Sequence, residues 1–174
     1  MSSADKNLSS YDVNKLPSVE EFNFGIIVAD WNEKITHELY NGCYDTLVKH
    51  GAKKENIHTV QVPGTFELPQ GARILNKNKS IDATICIGCV IKGETSHNEY
   101  INMSVANALQ NMAIATAKPF IFGVLTPNSM EQALERAGGV YGNKGVEAAV
   151  TALRMVVLDN ELKGGNSSIG FGKS

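Results

Sequence analysis

The stretch Gly88 to Tyr100, GCVIKGETSHNEY, joins the end of an apolar run to a polar turn carrying one histidine. Imidazole titrates near neutrality, so a histidine delivered to a strand end can act as general acid and general base in turn. A lone His97 is also an ordinary surface or satisfied core residue, and its immediate context shifts that reading only in part. Other apolar runs end in comparably unusual residues: Asp30-Trp31-Asn32, Pro63-Gly64-Thr65-Phe66-Glu67 and Leu125-Thr126. They offer aromatics for stacking and an amide and a carboxylate for hydrogen bonding. Taken singly, Trp31 and Phe66 read as packing residues, and Glu67 as a carboxylate complementing a helix dipole. Convergence of several loops with complementary chemistry is what favours a site.

Convergence requires elements that bring these loops together. Ala83 to Ile91 is apolar and β-branched with almost no polar interruption, the pattern of a strand buried on both faces. Ile101 to Ala117 lacks proline and glycine, and its Ile101, Val105, Leu109 and Met112 recur at helical spacing. GCVIKGETSHNEY is therefore a strand-to-helix turn. Thr95 or Ser96 is expected to cap the helix, whose first amides and positive dipole end suit an anion such as phosphate beside His97.

Three further strand-and-helix units complete the pattern. Phe24 to Ala29 predicts the first strand, followed by a helix from about Thr36 to His50 with Leu39, Cys43 and Leu47 on one stripe and Gly51 as its stop. Ile57 to Val62 predicts the second strand, and Pro63-Gly64 turns the chain into a helix from about Glu67 to Asn76. Phe120 to Leu125 predicts the fourth strand. Ser129 and Gln132 form a capping-box signature for a helix from Met130 to Ala137, and beyond Gly138-Gly139 a last helix runs from about Asn143 to Leu162. Such alternation predicts an α/β fold, a three-layer α/β/α sandwich on a four-stranded parallel sheet. Ligands of such sheets bind outside the carboxyl ends of the strands, where these unusual residues fall. Residues 1–23 read as a mobile or loosely docked arm, 24–163 as the domain, and the glycine- and serine-rich 164–174 as a disordered tail.

At 174 residues the chain has the length of one domain with a full core. A net charge of -2 gives no pull toward nucleic acid or an anionic membrane. Its apolar runs fall short of the roughly 20 residues a bilayer-spanning helix needs, so a soluble protein is expected. The polar first 23 residues, with Asp5, Asp12, Glu20 and Glu21, argue against a signal peptide and weakly against a transit peptide. A cytoplasmic location is expected, with organelle import left open. Cys43, Cys86 and Cys89 make an odd count without framework spacing, which suits a reducing compartment. Cys86 and Cys89 form a CxxC with no second ligand pair, and on a strand their side chains face opposite ways, so packing is favoured over a metal or redox role.

Four motifs together carry a family resemblance: PGTFELP at Pro63 to Pro69, GCVIKGETSHNEY, FGVLT at Phe122 to Thr126, and EQALERAGG followed by GNKG between Glu131 and Gly145. In order and spacing, from about Phe24 to Met155, the chain resembles the lumazine synthases. The resemblance implies the same sandwich, flavodoxin-like, and a transferase making 6,7-dimethyl-8-ribityllumazine in the penultimate step of riboflavin biosynthesis. The implied reaction condenses 5-amino-6-(D-ribitylamino)uracil with L-3,4-dihydroxy-2-butanone 4-phosphate, releasing phosphate and water without cofactor or metal. By the same resemblance Trp31 stacks on the pyrimidine and Asn32 helps to bind it, while Thr65, Phe66 and Glu67 hold the ribityl chain. Val90 and Ile91 then line the ring pocket, Cys89 beside them is a further substrate-binding position, and Glu94 and Thr95 fall where backbone amides bind phosphate. His97 matches the general acid/base and Arg136 the phosphate-binding arginine, with Phe122 and Lys144 completing a pocket formed between neighbouring subunits of a homopentamer, twelve of which make an icosahedral shell in some members.

Two positions depart from the family pattern or strain it. Trp31 stands where many members have phenylalanine, and Glu94 brings a carboxylate beside the phosphate site, so its side chain is expected to point away. Arg136 by itself reads as a solvated helix residue, left near a mobile loop by the AGG after it, and Lys144 as an exposed lysine in an unfavourable dipole position. A non-catalytic flavin or lumazine carrier is a rival reading, against which both His97 and Arg136 argue. A generic nucleotide-binding module is another, but no Walker-type run is present and no GxGxxG follows the first strand.

Overall fold

The computed structural model describes residues 18–163. The apolar runs form four strands, β1 (Phe24–Ala29), β2 (Ile57–Val62), β3 (Ala83–Cys89) and β4 (Phe120–Leu125), paired in parallel in the order β2-β1-β3-β4. Central β1 and β3 are buried at every position, as uninterrupted apolar runs covered on both faces must be. Edge strands β2 and β4 carry partly exposed positions.

Parallel strands need crossovers, and helices α1 (Glu33–Lys49), α2 (Leu68–Asn78) and α3 (His97–Thr116) supply them. After β4 come the short α4 (Met130–Arg136), two small strands β5 (Ala137–Gly139) and β6 (Gly142–Asn143), and α5 (Lys144–Lys163). On one face of the sheet, Ile35, Leu39, Cys43 and Leu47 of α1 pack with Ala149, Leu153 and Val156 of α5 against Phe24, Ile26, Ile85 and Ile87. On the other face Leu68, Ala72 and Leu75 of α2 and Val105 and Leu109 of α3 cover Ile27, Ala29 and Cys86. The expected α/β/α sandwich is thus the observed one.

Cys86 and Cys89 lie in the two opposite cores, as strand geometry requires. Burial pushes the Cys89 thiol up to about 12 and drives those of Cys43 and Cys86 further in the same direction, so all three stay neutral packing groups. α1 and α5 approach very closely: a Cβ at Gly145 would fall on the Leu39 carbonyl, and one at Gly42 would meet the Asn143 side chain. Asn143 locks this contact, donating to Glu38 O at 2.9 Å while its Oδ1 accepts from the Gly145 and Val146 amides at 2.7 and 3.3 Å. The GNKG motif is therefore a helix cap joined to a close helix crossing.

Several local expectations need correction. α1 begins at Glu33, three residues before the predicted start, because Asn32 in the left-handed region turns the chain directly into the helix. The segment after Arg136 is a hairpin of β5 and β6, not a mobile loop, with Gly138 and Gly142 at φ 114° and 75° supplying its turns. The described end of the N-terminal arm, expected to be mobile or loosely docked, packs on the domain: Val19 is fully buried in the core cluster that α1 and α5 share, Asn23 N donates to Asp82 Oδ2 at 2.7 Å, and Lys53 reaches Glu21 at 3.2 Å. The expectations for residues 1–17 and for the tail 164–174 lie outside the described residues.

Candidate functional site

The ends of β1, β2 and β3 are laced together by backbone. Asp30 N donates to Val62 O at 2.8 Å and Trp31 N to Pro63 O at 3.1 Å, while the Asn32 side-chain amide donates to Cys89 O at 2.9 Å. Asn32 holds φ 63°, a left-handed conformation that asparagine tolerates better than most residues. This lacing frames a cavity of about 730 Å³. Trp31, 72% exposed, and Phe66, 58% exposed, both line it, so the packing reading of these aromatics is set aside. The cavity also takes in Asn32, Thr65, Glu67, Cys89, Val90 and Ile91.

The turn after β3 forms the other wall. Val90 N donates to Leu125 O and Lys92 N to Pro127 O, both at 2.9 Å, fixing the start of that turn on the end of β4. α3 then begins at His97 itself, which is exposed and lines the cavity with Gly93 and Thr95. Glu94 is exposed and does not line the cavity. The predicted cap is not made: Ser96 holds φ −72° and ψ 11°, away from the extended geometry that aims a cap hydroxyl back at the helix. First-turn amides without intrahelical partners thus receive no side-chain cap.

The remaining predicted residues lie elsewhere. A second cavity of about 590 Å³ opens at the free edge of β4, between α3 and α5, and contains Phe122, Arg136 and Lys144. Leu125 and Thr126, expected to join the other strand ends, line this second cavity instead, because β4 is the edge strand and its open side faces away from β1. Arg136 is held: Nη1 donates to Gln132 O at 3.0 Å, Glu135 lies at 3.7 Å, and the guanidinium stacks 4.7 Å from the Tyr141 ring on the hairpin. Lys144 Nζ meets Glu147 Oε2 at 2.6 Å, which offsets its unfavourable place in the first turn of α5.

Sequence reasoning passes over Asn98, Tyr100 and Ile101 in the first cavity and Gln132 and Glu147 in the second. Glu147 had a usable signal, an acid three residues after Lys144 on one helix face. Among the described residues no group of three His, Cys, Asp or Glu is placed to hold a metal, and no helix is long and apolar enough to cross a membrane.

Similar proteins agree with the motifs. Residues 21–160 match the family model of 6,7-dimethyl-8-ribityllumazine synthase. The chain is 53% identical to the 6,7-dimethyl-8-ribityllumazine synthase of Cytophaga hutchinsonii, over 90% of this chain and 98% of that protein. It is 49% identical to that of Parabacteroides distasonis over the same shares, and 41% identical to that of Flavobacterium psychrophilum over the whole of this chain and 89% of the relative. On the family model over residues 21–160 and on relatives 53% and 49% identical over 90% of its length, the chain belongs to the 6,7-dimethyl-8-ribityllumazine synthases.

Proposed function

We propose that the chain condenses 5-amino-6-(D-ribitylamino)uracil with L-3,4-dihydroxy-2-butanone 4-phosphate at a site completed by a second copy of itself. Trp31 stacks on the pyrimidine, Asn32 helps to orient it, and Cys89, Val90 and Ile91 bound the ring. Thr65, Phe66 and Glu67 hold the ribityl chain. The 5-amino group attacks the ketone and a first water leaves to give an imine. Loss of a proton and of phosphate gives an enol, which tautomerises to a ketone. The ribitylamino nitrogen then attacks that carbonyl and a second water leaves as the ring closes. Each step moves a proton, and His97 serves as acid and base in turn. Phosphate leaves readily only if its charge is held, which falls to the α3 amides near Glu94 and Thr95 and to Arg136, whose planar fork matches a phosphate.

The observation that carries the shared site is the division of these residues between two cavities of one chain. His97 belongs to the first and Arg136 to the second, so one reaction centre using both draws on two copies, with Phe122, Arg136 and Lys144 coming from the neighbour. The unpartnered surface of α3 supports the same reading: Tyr100, Met103 and Ile114 are 74%, 66% and 73% exposed. We assign a homopentamer, alone or assembled into a shell, to be tested by light scattering. A cytoplasmic location agrees with three buried, unpaired thiols.

Turnover tests the activity directly. Mixing the two substrates with the protein is expected to raise lumazine absorbance well above the uncatalysed background, and His97→Ala or Arg136→Ala to lower kcat by about tenfold or more. A wild-type rate equal to background would reject the synthase reading in favour of a carrier.

A further inference from the structure

Three buried side-chain polar atoms lack a hydrogen-bond partner among the described residues: Thr65 Oγ1, Asn98 Oδ1 and Asn102 Oδ1. They belong to one seam. Thr65 lies in the turn Thr65–Glu67, against which α3 packs, and Asn98 and Asn102 stand one turn apart on α3. Their spacing places them on the face that continues through the buried Val105 and Leu109. A helix face that is apolar further along thus begins with two amides, of which Asn98 reaches the cavity.

Packing alone does not account for them. An unpaired buried acceptor is worse for stability than an apolar side chain of the same shape, so leucine at these positions would serve the core better. Asn98 and Thr65 both line the first cavity, whereas Asn102 does not, which leaves Asn98 as the amide within reach of a ligand. The terminal torsion of asparagine is broad and nearly two-fold, so a half-turn carries Oδ1 from the seam toward the cavity.

The chemistry of the atom selects its partner. An amide oxygen only accepts, as do the oxygens of a phosphate dianion, so phosphate is a poor match. A polyol hydroxyl donates, and it can accept in turn from the Thr65 hydroxyl, which does both. We propose that Asn98 is a specificity-determining residue that accepts a hydrogen bond from a hydroxyl of the substrate's ribityl chain, with Thr65 Oγ1 continuing the chain of hydrogen bonds. This assignment rests on the synthase reading above and adds a residue to its polyol subsite.

The test uses the full-length protein and the variants Asn98→Leu and Asn98→Ala, varying each substrate separately. The KM for 5-amino-6-(D-ribitylamino)uracil is expected to rise about tenfold in both, the value of one hydrogen bond lost to an uncharged ligand group, while that for the butanone phosphate stays within about twofold. A 6-alkylamino analogue without hydroxyls should be used equally well by wild type and variants. Asn98→Leu should melt no lower than wild type. An unchanged KM for the pyrimidine, a rise confined to the butanone phosphate, or failure of both variants to fold would each overturn the assignment. A wild type with no turnover at all would instead reject the synthase reading on which it rests.

Discussion

Asn32 Nδ2 donates to the Cys89 carbonyl oxygen at 2.9 Å, tying the end of β1 to the end of β3 across the floor of the first cavity. One residue thereby makes a left-handed turn, starts α1 and braces two strand ends. The bond uses one of the two N–H groups of its amide, and Oδ1 has the chemistry to accept from a ligand N–H.

Substitutions at Asn32 separate these duties. Alanine loses the hydrogen bond, about 1 kcal/mol, and strains the left-handed backbone by a further 1–2 kcal/mol or so. Glycine accepts that backbone and loses mainly the bond. Asn32→Ala should therefore melt below Asn32→Gly, by roughly 2–8 °C for a domain of this size, while both lose pyrimidine affinity. Equal melting temperatures would show that the backbone conformation carries no cost.

Trp31 is largely exposed, so Trp31→Phe should change stability by no more than about 0.5 kcal/mol. Its effect belongs to binding, because the indole offers a larger stacking face than a phenyl ring. Riboflavin affinity, followed by quenching of flavin fluorescence, is expected to fall about fivefold in Trp31→Phe, within the range of stacking energies. Equal affinities would remove Trp31 from any flavin-holding role.

The raised thiols set an alkaline limit on stability. Cys43, Cys86 and Cys89 keep their protons in the folded chain well above the ordinary value of 9.0, whereas the unfolded chain releases them near it. Their contribution is complete below that value and declines as pH rises toward the folded values, about 12 for Cys89. Above pH 9 each thiol should remove about 1.4 kcal/mol of stability per pH unit. Urea midpoints between pH 8 and 10.5 measure this slope, which Cys43→Ala should reduce by one thiol's share. An unaltered slope in that variant would mean that Cys43 ionises equally easily in both states.

The main architecture was legible because its cues are local. β2 and β4 have the bounds read from the sequence, and the buried stripe Leu39, Cys43 and Leu47 recurs at helical period. Cues were absent where geometry depends on neighbours. The hairpin of β5 and β6 has two or three residues per strand and no alternation to read, and it exists because glycines turn the chain beside α1 and α4. Strand order is likewise invisible in strand and helix alternation, so the placement of Leu125 and Thr126 in a separate cavity could not be foreseen. Asn98 escaped notice for a third reason: a search for apolar period begins at Ile101 and passes over polar residues on the same face.

Separation of His97 and Arg136 into two cavities gives a test that needs no view of the assembly. If each reaction centre takes His97 from one copy and Arg136 from the next, His97→Ala and Arg136→Ala chains damage opposite halves of the same site. Either variant alone has one defect in every centre. In a randomly mixed ring, about one centre in four pairs an intact His97 with an intact Arg136, and another one in four carries both defects. Co-expressing the two variants in equal amounts should therefore restore about a quarter of wild-type kcat, against a tenth or less for either alone. Mixing the separately assembled variants at low concentration should restore little until subunits exchange, and light scattering must show the same assembly throughout. Activity of the co-expressed mixture equal to the mean of its parents would place both residues in one copy's site and reject the shared centre.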